Sequence, residues 1–307
     1  MSTRNTVASR VTLAGVTKGR IAMPIRVLAY GLPGVGKSTF AADAPSPIFL
    51  CSENGTTHLD VSRLPEPASW DEAMQGLELL EHEQHDYKSV VVDTVNWLEP
   101  LAWRKITGGK CSIEEYQKGY GKGYVAALDL WRQFKAQIER LWSKRRMHIV
   151  LLGHAHVKVF NDPLGAPYDR YEIAMHGKAA GLLKEWCDFV LFAREESFSR
   201  VDERGRNRGM STGVRVVHTQ WNAAYDAKCR ATMPPEIPLA WSDFFDAVQA
   251  NSPERLRAQI ESDLAAIGDE AYATQVHEYI AKPGARLDVV ANKVAARLAE
   301  KNKESES

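Results

Sequence analysis

The stretch GLPGVGKST, residues 31–39, contains the residue types that hold a phosphate chain. Gly31, Gly36, Lys37 and Ser38 fit the spacing G-x-x-x-x-G-K-[ST]. In such a loop the backbone N–H groups turn towards the β-phosphate, the lysine reaches the β- and γ-phosphates, and the hydroxyl binds Mg²⁺. The pattern predicts a nucleoside triphosphate site, with a plain glycine-rich turn as the alternative. The predicted nucleotide ligands are Gly31, Gly34, Val35, Gly36, Lys37, Ser38 and Thr39.

Two carboxylates follow apolar segments that have the composition of strands. Asp93 ends the strand-like run in YKSVVVDTVNWL, where a carboxylate can orient Mg²⁺ beside Ser38. Glu53 ends the run in PIFLCSEN, at the carboxyl edge where ligands of open α/β sheets collect. A carboxylate there could polarise the water that attacks the γ-phosphate. The alternatives are a helix cap for Asp93 and a solvated loop residue for Glu53.

Strand-like and helix-like segments alternate between about residues 21 and 250 and must position these groups. Nearly all-apolar runs typical of strands buried on both faces are PIRVLAY, SPIFLCS, SVVVDTV, HIVLLGH and DFVLFAR. Amphipathic stretches lie between them, one of about six helical turns. The sequence therefore predicts an α/β fold with a mostly parallel central sheet flanked by helices.

The domain prediction divides the chain into three parts. Residues 1–20 are expected to form an N-terminal tail, residues 21–250 the P-loop core, and residues 251–307 a small helical segment with a polar tail. Pro253 suits the first turn of the first of three short helices there. Tryptophans at helical spacing are usually core residues, which is the expectation for Trp97, Trp103, Trp131, Trp142 and Trp186.

Composition excludes few partners. Lys and Arg together number 39, and Asp and Glu together also number 39, so the formal net charge is zero. A nucleic-acid surface must therefore come from local clustering of charge. The four cysteines have neither C-x-x-C pairing nor zinc-type spacing, which favours reduced thiols and no metal beyond Mg²⁺. Without an apolar run near the roughly 20 residues of a membrane span, and without a secretory signal, the expected location is the cytoplasm.

The segments GLPGVGKST, FLCSE, VVVDTV and VLLGHAH, in this order, resemble the core of the RecA/RadA-type recombinase and hexameric-helicase ATPases. Across residues 21–250 the likeness is closest to core-only recombinase-like ATPases of bacteriophages, associated with single-strand annealing. The resemblance implies ATP and Mg²⁺ as cofactors, Glu53 as catalytic base, and His154 at the place of a γ-phosphate sensor. A plain hydrogen-bonded histidine is the alternative. Thr94, rather than a glutamate, follows Asp93, which favours the recombinase branch over ordinary AAA+ ATPases.

The same resemblance implies a homo-oligomer, ring or filament, with ATP sites between subunits. Lys228 and Arg230 follow the strand-like GVRVVHTQW. In an extended chain, side chains two residues apart point to the same face, so both cations would lie on one side. A pair at such a place reaches the γ-phosphate of the neighbouring subunit in this family, so both residues are predicted to be catalytic in trans. Two solvated cations on a hairpin edge are the alternative.

Residues 104–124 and 156–181 match the two loops that contact single-stranded DNA in such recombinases. Their cations neutralise phosphates, and their aromatic rings stack on bases at about 1–3 kcal/mol each. Acidic residues in both stretches weaken the positive field, so ordinary surface loops are the alternative. The predicted DNA-binding residues are Lys118, Tyr120, Lys122, Lys158, Arg170 and Lys178.

Three hypotheses of function result. The first is a phage-encoded ATPase that assembles on single-stranded DNA and promotes annealing or strand pairing, with a single-strand-binding protein as a further possible partner. The second is a replicative helicase or helicase-loading ATPase of the same fold. The third is a P-loop kinase for a small molecule, for which ERGRNRG, residues 203–209, would be the arginine-rich lid.

Overall fold

Apolar, largely β-branched runs form the strands of a central sheet, because residues buried on both faces need no polar alternation. The computed structural model describes residue 16 and residues 23–52, 55–201, 207–250, 252–282 and 285–305 of the 307-residue chain. Its strands are β1 (Arg26–Gly31), β2 (Pro47–Cys51), β3 (Ser62–Arg63), β4 (Ser89–Asp93), β5 (His148–Phe160), β6 (Tyr168–Ile173), β7 (Phe189–Val201), β8 (Asn207–His218), β9 (Lys228–Cys229) and β10 (Glu236–Pro238).

The strand order is β10-β8-β7-β1-β5-β4-β2-β3, with β6 beside β5 and β9 beside β7. Neighbours from β7 to β3 run parallel, whereas β6, β8, β9 and β10 pair antiparallel. The predicted α/β fold with a mostly parallel sheet is confirmed. Because parallel strands end at the same edge, the chain segments after β1, β4 and β5 meet there, with β5 between the other two.

Helices cover both faces of this sheet. They are α1 (Lys37–Ala42), α2 (Trp70–His82), α3 (Val95–Thr107), α4 (Lys122–Ser143), α5 (Gly177–Trp186) and α6 (Trp241–Gln249). Side chains of a strand alternate between faces, so Leu28 and Tyr30 of β1 pack with α2 to α5, whereas Val27 and Ala29 pack with α1 and α6. Among the described residues, every helix is too short or too polar to cross a lipid bilayer.

The described residues between 249 and 305 belong to a second compact unit, distinct from the unit that the described residues between 23 and 248 form. Its helices are α7 (Pro253–Ile267), α8 (Glu270–Ile280) and α9 (Leu287–Ser305). Ser252 caps α7 by accepting from the N–H of Arg255, with Pro253 in the first turn, and Asp269 caps α8. A core that includes Ile260 and Val294, both fully buried, holds the three helices together.

Glu81 joins α2 to α4 in the larger unit. Its side chain is only 8% exposed and accepts hydrogen bonds from Arg140 Nε at 2.7 Å and Lys144 Nζ at 3.1 Å. Burial by itself raises the pKa of this carboxyl, but the two cations outweigh burial and lower the pKa to about 2. The folded chain therefore keeps Glu81 ionised at pH values where the unfolded chain is protonated.

Because the pKa of Glu81 is lowered in the folded chain, Glu81 should stabilise the fold at neutral pH and lose this effect in acid. The contribution is fully present above the ordinary pKa near 4.5 and is lost as pH falls towards 2. We expect Glu81→Gln to lower the free energy of unfolding by about 1–3 kcal/mol at pH 7, with a difference that shrinks towards zero near pH 2. Urea titrations across this pH range measure it, with exposed Glu78→Gln on the same helix as the control. A difference that does not change with pH would contradict the prediction.

Candidate functional site

The glycines of the loop after β1 serve two different purposes. Gly34 and Gly36 have φ values of 77° and 105°, a left-handed backbone that other residues rarely adopt. Gly31 is needed for packing, because a Cβ atom there would lie 2.1 Å from the carbonyl oxygen of Ala193 on β7. Helix α1 then begins at Lys37. Glycine thus allows the backbone turn of the predicted loop and the close packing of β1 before it.

Lys37 and Ser38 lie at the centre of the site. Lys37 is 5% exposed, and its Nζ donates to the carbonyl oxygens of Gly31 at 3.1 Å and Leu32 at 2.9 Å. Ser38 Oγ donates to Asp93 Oδ2 at 2.6 Å, and Asp93 is 3% exposed. A hydroxyl and a carboxylate held together at the edge of a cavity are the oxygen ligands that Mg²⁺ prefers, so these residues fit the predicted metal.

A cavity of about 640 Å³ opens over the loop, within the size range of small-molecule sites. It brings together seven of the predicted residues, which are Gly34, Gly36, Lys37, Ser38, Thr39, Asp93 and His154. The remaining lining residues are Pro33, Gly55, His58, Thr94, Trp97 and Arg215. Residues far apart in sequence therefore surround one space large enough for a nucleotide.

His154 reaches the cavity because β5 lies directly beside β1. It pairs in register with Gly31, and its backbone N–H donates to Asn96 Oδ1 at 2.7 Å. The side chain lines the cavity, which is the place predicted for a γ-phosphate sensor.

A family model described as an AAA domain matches residues 23–231. The chain belongs to this family. AAA domains of this kind are P-loop ATPases, and the matched range includes the loop, Asp93 and His154. No curated protein matches the chain. The narrower likeness to recombinases remains a prediction for this AAA domain.

Glu53 lies outside the described residues, so its place in the AAA domain is not part of the structure. Ser52, directly before it, donates its N–H to the carbonyl oxygen of Asp93 at 2.9 Å. The end of β2 thus lies beside the Asp93 end of β4. Glu53 as catalytic base remains a prediction.

The prediction that Trp97 is a core residue is wrong. Its side chain is 51% exposed and lines the cavity, because the buried face of α3 consists of Val95, Leu98, Glu99 and Ala102. Trp131 and Trp186 are buried, as expected. Helical spacing placed these tryptophans on a helix but did not identify which of them faces the core.

His58 and Arg215 are the two lining residues with basic side chains that the sequence did not single out. His58 follows β2 in a turn, and Arg215 lies on β8, far along the chain from the P-loop. Neither belongs to a motif, so no local signal could have identified them. The arginine-rich stretch proposed as a kinase lid falls partly outside the described residues, and residues 207–209 belong to β8.

Lys228 and Arg230 lie at the opposite edge of the sheet from the P-loop. Lys228 pairs with Val190 at the start of β7, and its Nζ donates to the carbonyl oxygens of Lys184, Glu185 and Cys187 at 3.1, 2.8 and 2.8 Å. These oxygens end α5 and have no partner within the helix. Burial and the nearby Arg230 lower the pKa of Lys228.

Arg230 has a second role at this edge. Its Nη1 contacts Asp188 Oδ1 at 2.9 Å, and Asp188 also binds Arg26 through two hydrogen bonds. Lys228 and Arg230 thus both stabilise their own subunit. Their predicted action on a neighbouring subunit remains untested.

The predicted DNA-binding residues divide by exposure. Lys118, Tyr120, Lys122, Lys158 and Lys178 are exposed, and Tyr120 reaches 96%. Arg170 is 7% exposed, forms an ion pair with Asp226 at 3.1 Å, and lies over the rings of Phe160 and Trp221. A buried arginine with these partners is a packing residue and is poorly placed to contact DNA.

The expectation of a long loop over residues 156–181 is wrong. Strand β5 continues to Phe160, β6 returns antiparallel to it, and α5 begins at Gly177. The alternation of polar and apolar residues in HVKVF and YDRYEI favours such a hairpin, with Lys158 opposite Arg170 on one side and Val157 opposite Tyr171 on the other.

The exposed ring of Trp97 predicts an optical signal for nucleotide binding. A ligand that fills the cavity excludes water from this indole, so we expect ATP to change the tryptophan fluorescence of the AAA domain. Trp97→Phe should remove most of the change, whereas Trp221→Phe, at an exposed site outside the cavity, should retain it. An equal change in Trp97→Phe would show that the nucleotide does not occupy this cavity.

Lys228 is predicted to stabilise the isolated subunit. Lys228→Met removes the lysine donor from three carbonyl oxygens at the end of α5, of which, within the described part of the chain, only that of Glu185 keeps a contact, with Arg230 Nη2 at 3.5 Å. We expect the free energy of unfolding to fall by about 1–3 kcal/mol. Arg230→Met removes a half-exposed ion pair and should cost about 0.2–1 kcal/mol. Urea unfolding measures both. Unchanged stability in Lys228→Met would favour the role in trans instead.

Proposed function

We propose that this AAA domain hydrolyses ATP with Mg²⁺ and couples turnover to the binding of single-stranded DNA. Strand β5 carries the proposal. It passes His154 at the cavity and continues without a break to Phe160 in an exposed hairpin with β6. One rigid element therefore connects the candidate phosphate site to a surface with cations.

The chain's own groups suit phosphoryl chemistry. Lys37 is held over the loop by two carbonyl oxygens and would contact the β- and γ-phosphates. Ser38 and Asp93 would hold Mg²⁺, which neutralises charge on the phosphate oxygens during transfer to water. Glu53 is the proposed general base for that water, and His154 the residue that contacts the γ-phosphate.

Helix α3 provides the mechanical link between Asp93 and the hairpin. Asn96, on the first turn after Asp93, accepts from the N–H of His154 and donates to the carbonyl oxygen of Ala174, both at 2.7 Å. It thereby binds the chain at both sides of the root of the β5–β6 hairpin. A shift of α3 on hydrolysis would move that root with it.

One turn further along α3, Glu99 accepts from the N–H of His176 at 3.0 Å. Burial raises the pKa of Glu99 to about 7, and this hydrogen bond opposes the rise. The ring of His176 stacks on Tyr124 with 4.2 Å between ring centres. This contact joins the end of the segment 104–124 to the segment 156–181, so both proposed DNA segments are connected to α3.

The exposed cations supply the proposed DNA contact. Lys158 and Lys178 lie in the hairpin segment, and Lys118 and Lys122 lie beside the exposed ring of Tyr120. Lysines neutralise phosphates and an exposed ring stacks on a base, both without sequence preference. From the recombinase resemblance we further propose a homo-oligomer with ATP sites between subunits, acting in strand annealing or pairing.

The proposal predicts DNA-stimulated ATP hydrolysis. Phosphate release by the purified protein should rise when single-stranded DNA is added, and Lys37→Ala should abolish hydrolysis in both conditions. We expect the double variant Lys158→Ala, Lys178→Ala to reduce the ratio of the two rates several-fold, because it removes two phosphate contacts per subunit. Lys88→Ala is the matched control, since Lys88 is exposed but precedes β4 at the other edge of the sheet.

Two results would contradict this proposal. Hydrolysis that does not respond to single-stranded DNA would remove the coupling and favour an ATPase that acts on another partner. An equal loss of stimulation in Lys88→Ala would show that the effect follows total charge and not the hairpin.

A further inference from the structure

We propose that Arg215 is a second cationic phosphate ligand of the nucleotide site, supplied by β8 of the same chain. This inference rests on the proposed function, because it assigns a further binding residue to the same cavity. It goes beyond the P-loop pattern, since Arg215 belongs to none of its motifs.

The position of Arg215 is fixed against the P-loop. Its Nη1 atom lies 3.2 Å from the point where a Cβ atom of Gly36 would be. The carbonyl oxygen of Arg215 accepts from the N–H of Leu239 at 3.0 Å, and the Leu239 side chain packs 3.6 Å from the same point. The guanidinium therefore lies beside the backbone that is predicted to cradle the β-phosphate.

Alternation along β8 directs Arg215 to this place, because Arg215 lies two residues before Val217, which packs in the core shared with α1 and α6. A bulge lies directly before this regular part of the strand. Arg215 pairs with Glu195 and Ser211 pairs with Ser197, so three residues of β8 stand opposite one residue of β7. Gly213, within that bulge, has a φ of 78°. The bulge is held by hydrogen bonds from the N–H groups of Gly213 and Val214 to the Ser211 and Thr212 hydroxyls, each at 3.2 Å. The regular part of β8 therefore begins at Arg215, directly after the bulge.

The charge of Arg215 has no protein partner in the part of the chain that the structure describes. Its cross-strand neighbour Glu195 accepts a hydrogen bond from the Ser211 hydroxyl instead. By contrast, Arg26 binds Asp188 and Arg170 binds Asp226. A guanidinium that lines a cavity without a carboxylate partner is suited to an anion inside the cavity.

Phosphate is the anion that the cavity favours. Guanidinium forms paired, charge-assisted hydrogen bonds to phosphate oxygens and stays protonated at all relevant pH values. In the strand order, β8 lies on one side of β1 while β5 and β4, which carry His154 and Asp93, lie on the other. A phosphate chain along the P-loop would thus meet Arg215 on one flank and the Mg²⁺ ligands on the opposite flank.

The test compares nucleotide affinity across the number of phosphates. Isothermal titration of wild type, Arg215→Ala and Arg215→Lys with ATP, ADP and AMP gives the dissociation constants. We expect Arg215→Ala to weaken ATP binding by about 10–100-fold, as the loss of charge-assisted hydrogen bonds predicts. AMP should be affected least, and Arg215→Lys should retain part of the ATP affinity.

Arg200→Ala is the matched control. Arg200 is an exposed arginine on β7, beyond the bulge and outside the cavity. It should leave the ATP affinity unchanged. Arg215→Gln, which keeps most of the side-chain length, and circular dichroism of every variant separate loss of the contact from loss of the fold.

The outcomes distinguish this inference from the proposed function. Normal ATP affinity in folded Arg215→Ala and Arg215→Gln, together with loss of binding in Lys37→Ala, would overturn the role of Arg215 and leave the ATPase proposal standing. Equal weakening by Arg200→Ala would also overturn it, because the effect would then be general electrostatics. A wild-type protein that binds no ATP would overturn both.

Discussion

The nucleotide site depends on how closely β1 packs between β5 and β7. Gly31 has no room for a side chain, because a Cβ atom would lie 2.1 Å from the Ala193 carbonyl oxygen. On the other side of β1, Gly31 stands beside His154 of β5, and β4 follows β5 with Asp93 at its end. The hydrogen bond of 2.6 Å between Ser38 and Asp93 forms only because these strands end together. The first glycine of the P-loop therefore positions the residues around the phosphate site through sheet packing.

Cationic side chains at the two edges of the sheet have different roles. At the carboxyl edge, Lys37 and Arg215 line a cavity. At the amino edge, Arg26 lies between the rings of Trp142 and Trp186 and binds Asp188, which also pairs with Arg230. Cations at the amino edge have carboxylate or carbonyl partners that satisfy them inside the subunit. Charge by itself therefore does not identify a binding residue, because Lys37 also has carbonyl partners inside the subunit. What distinguishes Lys37 and Arg215 is that both line a cavity.

In the proposed coupling, helix α3 connects the phosphate site to the β5–β6 hairpin. Its buried side packs in the core, while Asn96 and Glu99 contact backbone groups at the root of the β5–β6 hairpin and at the start of α5. These polar contacts are directional, so a movement of α3 requires the hairpin root to follow or the hydrogen bonds to break. The second unit, α7 to α9, has its own core and its own capping residues.

The sequence by itself determined the elements and the P-loop. Apolar runs without alternation indicated buried parallel strands, and the spacing of Gly31, Gly36, Lys37 and Ser38 indicated a phosphate loop, because both are local properties of neighbouring residues. Asp93 and His154 were also singled out in the sequence, since each ends an apolar run, and both line the cavity. The hairpin over residues 156–173 also had a local signal, the alternation of polar and apolar residues in its two strands, but its charged residues made the segment resemble a polar loop.

Tertiary structure alone decided which charged and aromatic residues face the site. Arg215 reaches the P-loop only because β8 lies two strands from β1 and Arg215 shares the face of β8 with Val217, on the side that α1 covers. Trp97 was expected in the core but is exposed at the cavity, whereas Arg170 was expected at the surface but is buried against Asp226. Lys228 caps α5 through contacts across more than 40 residues of chain. These assignments depend on strand order and helix rotation. Neither can be predicted from the residues that neighbour each position in the sequence.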